Sequence, residues 1–203
     1  MAKISSTEEL RRIYDQPKGR PLAKQIDRLE AHCRRFIELS PFLIMATSSA
    51  DGFGDASPKG EAPGFVQVMD DRTLAIPDRP GNNRLDSMTN LLDNPKIGLI
   101  FLIPGVNETL RINGTAEIRD DDDLLRRFEV NGKLPKTVIV VTAREVYLHC
   151  AKALMRSRLW DADAQAPERP IPTMSEMIRD QTDLDIPLET EEDMRERYRA
   201  VLY

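Results

Sequence analysis

Between residues 42 and 150 this 203-residue chain reads as an antiparallel β-barrel decorated by helices, a mainly β, α+β class. From residue 42 the sequence runs as short apolar stretches interrupted by turn residues, at 42–48, 55–59, 65–69 and 73–76. Stretches of that length and composition are strands. Asp51-Gly52 and Asp70-Asp71-Arg72 stand between neighbouring stretches at hairpin spacing, so the first strands should pair in sequence as an antiparallel meander. No alternation of the βαβ kind is present, and a parallel doubly wound sheet fits poorly.

The elements follow in order. Leu22, Ile26, Leu29, Cys33, Phe36 and Ile37 recur at helical spacing after Pro21, which suits a first-turn position, and Ser40-Pro41 stops the run. Residues 1–40 are therefore expected to be a helical segment packed on the barrel. After the first strands, Leu85, Met88, Leu91 and Leu92 share one face of a helix over 84–92, which Asn94-Pro95 ends. A buried strand over 97–103 turns at Pro104-Gly105. Over 109–118, Leu110, Ile112 and Gly114 alternate with Arg111, Asn113 and Thr115, and Gly114 marks a bend or bulge. Asp120 is expected to cap a short helix through Phe128. The Val- and Ile-rich segment 137–150 completes about seven strands, and a helix follows over 151–158.

Beyond Trp160 the composition shifts to Pro167, Pro170, Pro172, Pro187 and many acidic residues, with short helices over 173–181 and 190–202. Residues 161–203 read as a Pro-rich acidic arm that covers the barrel or reaches a partner. The whole is one domain, since 40% hydrophobic content in 203 residues supplies one substantial core.

Charge and composition narrow the function. The 29 Lys and Arg against 34 Asp and Glu give a net charge of -5, which argues against general binding of nucleic acid or acidic membranes. No apolar run approaches the roughly 20 residues that span a bilayer, and Met1-Ala2-Lys3-Ile4 leads into polar residues, so a cytoplasmic protein is expected. Cys33 and Cys150 are then reduced, buried thiols. His32-Cys33 and His149-Cys150 are adjacent pairs, whereas structural zinc ligands are spaced by two to four residues, so no metal site is expected. Neighbours on a strand also point to opposite faces, which keeps His149 and Cys150 from forming a nucleophile–base dyad. The acidic run Asp120 to Asp123 lacks the alternating ligands and glycine of a calcium loop.

Two segments carry candidate chemistry. Pro77-Asp78-Arg79-Pro80-Gly81-Asn82-Asn83-Arg84 joins a strand to a helix. Unpaired N–H groups and partial positive charge at a helix start suit an anion, and Arg79 or Arg84 would add charge pairing. In Ser57-Pro58-Lys59-Gly60, the proline implies an edge strand or bulge, and Ser57 and Lys59 share a face. Beside the first loop they would surround a phosphate with a hydroxyl, an ammonium and a guanidinium.

In these parts the chain resembles the FMN-binding split barrels related to pyridoxamine 5′-phosphate oxidase. The resemblance covers roughly 42–160 and rests on Ser57-Pro58-Lys59-Gly60, the strand leading from Leu74 into Asn82-Asn83-Arg84, the helix closing at Asn94-Pro95, and the strand ending at Pro104-Gly105. The segment from His149 through Cys150-Ala151-Lys152 to Arg156 and Trp160 looks like that of a branch described only as probable FMN-dependent enzymes. The resemblance implies an FMN-binding split-barrel domain over 41–160 and a homodimer with two FMN sites at the subunit interface. By analogy Lys59 and Arg84 hold the phosphate, and Ser57, Pro58, Pro77, Asp78 and Arg79 edge the ribityl chain and ring, with Asn82 and Asn83 in the same loop. Arg111, Lys152, Arg156 and Trp160 are then the partner's contribution. The implied activity is an FMN-dependent oxidoreductase acting on a small-molecule substrate or electron donor. The alternative is a non-catalytic carrier or sensor of FMN, F420 or haem on the same fold. Pyridoxamine phosphate oxidases share a C-terminal arginine-leucine-x-x-arginine segment that helps bind the substrate's phosphate. Here the corresponding region is acidic and proline-rich, ending Glu196-Arg197-Tyr198-Arg199-Ala200-Val201-Leu202-Tyr203, so another substrate is expected.

Overall fold

The computed structural model describes residues 3–199 and Leu202. Seven strands form a single antiparallel sheet: β1 Phe42–Ser48, β2 Gly54–Gly60, β3 Gln67–Val68, β4 Thr73–Asp78, β5 Lys96–Leu102, β6 Thr109–Arg119 and β7 Thr137–His149. Their spatial order is β2-β1-β5-β6-β7-β4-β3. The expected hairpins exist, with Phe42 opposite Gly60 and Gln67 opposite Ala75. They do not continue as a meander, because β1 turns its other side to β5 and β4 turns its other side to β7. The two hairpins therefore stand at opposite edges of the sheet.

That sheet is rolled. Lys59 on β2 and Asp78 on β4 occupy strands far apart in the order, yet their side chains meet at 3.3 Å. Just beyond β2 and β4, Glu61 and Arg79 meet at 2.7 Å. The interior holds Leu43 and Met45 from β1, Leu74 and Ile76 from β4, Leu99 and Phe101 from β5, and Leu110 and Ile112 from β6, all at 1% exposure or less. Burying side chains of this size stabilises a fold by roughly 1.5–3 kcal/mol each. Gly114 sits where the β6–β7 register shifts, as its place in an alternating strand suggests, and a Cβ there would lie 2.1 Å from the Thr142 carbonyl oxygen.

Helices close the barrel. The single helix expected from Leu22 to Ile37 is two, α2 Arg20–Ala23 and α3 Ala31–Leu39, preceded by α1 Thr7–Ile13. Between α2 and α3 the chain leaves the helix in a turn at Lys24, and Ile26 bridges to Val146 of β7. Glu30 then caps α3, its carboxylate accepting from the N–H groups of His32 and Cys33 at 2.9 Å. Cys33 is buried, and that burial pushes its thiol up to about 12. Cys150 corrects the expectation of two buried thiols, because it is exposed just past β7. α4 Asp86–Asp93 lies against β1, where Asn90 donates to Thr47 at 3.1 Å and Asn94 to Ser48 at 2.8 Å. α5 Asp122–Arg126 starts from Asp121 rather than Asp120, and Phe128 beyond it packs on Ala75 and Val138 outside the sheet. α6 Lys152–Ser157 follows β7, and α7 Met174–Gln181 and α8 Glu191–Arg199 make up the arm, whose expected helical end at residues 200 and 201 lies outside the described residues. Among the described residues, no helix is long and apolar enough to cross a membrane.

Candidate functional site

A cleft of about 380 Å³ opens where the two edges of the rolled sheet approach each other. Its first wall is β2. Pro58 is tolerated there because β2 is the outer strand, hydrogen-bonded only to β1. Along β2 the alternation of the pleat leaves Asp55, Ser57 and Lys59 half-buried on one face and their neighbours exposed.

The second wall is the loop from Arg79 to the first turn of α4. Ser87 in that turn donates to Asp55 at 2.9 Å, which ties the helix start to β2. Asn83 and Leu85 both take left-handed backbone, at φ 58° and 59°. For a leucine that conformation costs roughly 1–2 kcal/mol, a strain that tends to gather at ligand sites. The Arg84 N–H donates to the Asn82 side-chain oxygen at 3.0 Å, so the loop turns on its own asparagine. Leu85 gives α4 no side-chain cap, and the helix begins after Arg84 instead of at it.

The third wall is the start of β7, where Lys136 and Thr137 line the cleft. Thr137 stands opposite Asp78 in the β4–β7 ladder. Its hydroxyl oxygen is buried with no hydrogen-bond partner.

Three of the cleft's cations already meet a carboxylate. Lys59 pairs with Asp78, and Arg79 with Glu61, both pairs largely buried. The Arg79 guanidinium also donates to the Phe128 carbonyl at 2.8 Å. Arg84 bonds Asp86 at 2.8 Å in the open, and that hydrogen bond raises its already high pKa. Among the described residues Lys136 makes no ion pair. An anion entering the cleft would find ammonium, guanidinium and hydroxyl donors together, in a volume within the roughly 300–1,000 Å³ of small-molecule sites.

The structure brings together Ser57, Pro58, Lys59, Asp78, Arg79, Asn82, Asn83 and Arg84 around this cleft. Pro77 is buried in β4, paired with Val138, and does not line it. The other four lie outside the cleft of their own chain. Arg111 on β6 stacks over Tyr147, 5.2 Å from the ring centre. Lys152 and Arg156 are exposed on α6, and Trp160 donates its indole N–H to the Val106 carbonyl at 2.9 Å. Sequence reasoning missed Lys136 and Thr137. Only the pairing of β7 with β4 places them in the cleft, and the one local signal was a lysine following Pro135 at a strand start.

A profile of the family described as pyridoxamine 5′-phosphate oxidase matches residues 29–150. The chain belongs to that family. The matched span contains all seven strands and all three walls of the cleft. Among solved structures, HupZ of Group A Streptococcus is 22% identical over 59% of this chain and 92% of its own, with a TM-score of 0.47. General Stress Protein 26 of Bacillus anthracis is 15% identical over 58% and 93%, at 0.43. An F420 reductase is 17% identical over 57% and 94%, at 0.39. No curated protein matches the chain.

Proposed function

We propose that the cleft binds FMN and that the protein is an FMN-dependent oxidoreductase working as a homodimer, with a site at each end of the subunit interface. The observation that supports this reading most directly is the meeting of Ser57 and Lys59 on an edge strand with the Arg84 loop at one cleft mouth. Lys59 and Arg84 are the phosphate's charged anchors, and Ser57 and the Asn82–Asn83 turn supply neutral hydrogen bonds. Arg79, fixed by Glu61 and the Phe128 carbonyl, holds the loop in place instead of moving to the ligand. When bound, the flavin supplies hydride exchange, and the protein supplies position, electrostatics and exclusion of water. Arg111, Lys152, Arg156 and Trp160, remote from the cleft of their own chain, belong on this reading to the partner's half of the site. Arg111 or Lys152 would stabilise negative charge that grows on the reduced ring.

The test is direct. The purified protein should be yellow or take up added FMN, and mass measurement of the released cofactor should return FMN. A colourless protein that does not take up FMN overturns the reading. Anaerobic mixing with NADH or NADPH then separates catalyst from carrier, since a bound flavin that no donor reduces marks a non-catalytic binder.

A further inference from the structure

We propose that Lys136 and Thr137 form a third anchor for the cofactor's phosphate, on the β7 wall of the cleft. This rests on the FMN reading above and adds residues to it. The first ground is charge. A phosphate monoester carries about 1.5 to 2 negative charges at neutral pH. Lys59, Arg79 and Arg84 are each matched by a carboxylate of their own chain, at 3.3, 2.7 and 2.8 Å. Asp78 and Asp86 are two of those carboxylates and Asp55 is a further one on the lining, so among the described residues Lys136 is the lining cation whose charge no ion pair has taken up. The second ground is an unspent hydrogen bond. Buried hydroxyls in folded proteins nearly always have a partner, and the Thr137 hydroxyl is the buried side-chain polar atom without one among the described residues. Thr137 is itself only partly buried and lines the cleft, so a turn about χ1 swings its hydroxyl to a ligand. The third ground is position. Thr137 faces Asp78 in the ladder, and Asp78 holds Lys59, so the hydroxyl and both lysines belong to one neighbourhood.

FMN and riboflavin, which differ only by the phosphate, are the probes. Lys136→Ala should weaken FMN at least about tenfold, as loss of a charge-assisted hydrogen bond does, and leave riboflavin affinity unchanged. Thr137→Val should move two quantities in opposite senses. Removing an orphaned hydroxyl raises the melting temperature of the cofactor-free protein, and removing a phosphate donor weakens FMN about tenfold or less. Equal weakening of riboflavin would assign the pair to the ring and overturn the phosphate anchor. FMN affinity unchanged in both variants would overturn it as well. Should the wild type bind no FMN, the proposed function falls, and inorganic phosphate becomes the probe of the anchor. A phosphate-induced rise in melting temperature that Lys136→Ala abolishes sustains it, while an equal rise in both proteins, or none in either, ends it.

Discussion

Lys59 and Arg84 carry the same formal charge and are held very differently. The Lys59 side chain is 25% exposed and fixed by Asp78, whereas Arg84 is 72% exposed and bonded only within its own loop. A preorganised, partly desolvated cation is screened less and loses less entropy on binding, so Lys59→Ala should cost more FMN affinity than Arg84→Ala. The double variant should lose about 3 kcal/mol, or two orders of magnitude in Kd by flavin fluorescence titration. Unchanged affinity would remove both from the phosphate site. Gly114 yields a prediction about stability alone. With backbone 2.1 Å from any Cβ, Gly114→Ala must push β6 from β7, and urea unfolding should show a loss of about 3 kcal/mol. Gly114 was legible in the sequence because it interrupts an alternating strand. Lys59 and Arg84 were legible because they sit in short segments with a chemistry of their own. Lys136 was not, because its one local signal, a place after Pro135 at a strand start, does not distinguish a cleft lysine from a solvated one.

Individual elements were legible in proportion to how local their causes are. The strands at 42–48, 97–103 and 109–118 lie within a residue or so of their expected bounds, but only the third alternates in sequence as it does in burial. The strand at 97–103, expected to be fully buried from its continuous apolar run, is buried on one face and partly exposed on the other. The first helix broke because Ile26, on the apolar face of the expected helix, is better used as a bridge to Val146 than as another turn. The sequence pattern could not show that preference, because Val146 lies on the last strand. Strand order was hidden for the same reason, since hairpin signals fix partners in sequence and leave the crossovers open. The break has a consequence for α3, which must start afresh at Glu30. Burial works against the charge of that carboxylate, but the N–H groups of His32 and Cys33 bond it and hold its pKa below the ordinary 4.5. A depressed folded value means the contribution is complete above pH 4.5 and is lost as pH falls through the lower value. Glu30→Gln should therefore lower stability at neutral pH by about 1 kcal/mol, the usual worth of a cap, and flatten the decline of stability in acid. Denaturant midpoints measured across the acid range check both parts. A decline as steep as in the wild type would place the acid sensitivity elsewhere.

At the scale of the whole molecule, two ion pairs clasp the edges of the rolled sheet, and the cleft lies beside them. Lys59–Asp78 joins β2 to β4, and Glu61–Arg79 repeats the join just outside. With both side chains of the second pair about one-sixth exposed, its loss matters more than a surface bridge. Glu61→Ala should cost about 3 kcal/mol in urea unfolding and weaken FMN as the loop loosens. The same geometry bears on assembly. One chain brings Lys59 and Arg84 to a cleft but leaves Arg111, Lys152, Arg156 and Trp160 elsewhere. If each site takes its second half from the partner, defects on the two sides must complement. Lys59→Ala and Arg156→Ala homodimers would each carry two damaged sites. A mixed dimer would carry one site with both defects and one with neither. Unfolding and refolding an equimolar mixture should thus recover about a quarter of wild-type FMN sites, since half the dimers are mixed and each holds one intact site. Two sites built wholly within their own chains would show no recovery, because every cleft would keep the defect it began with.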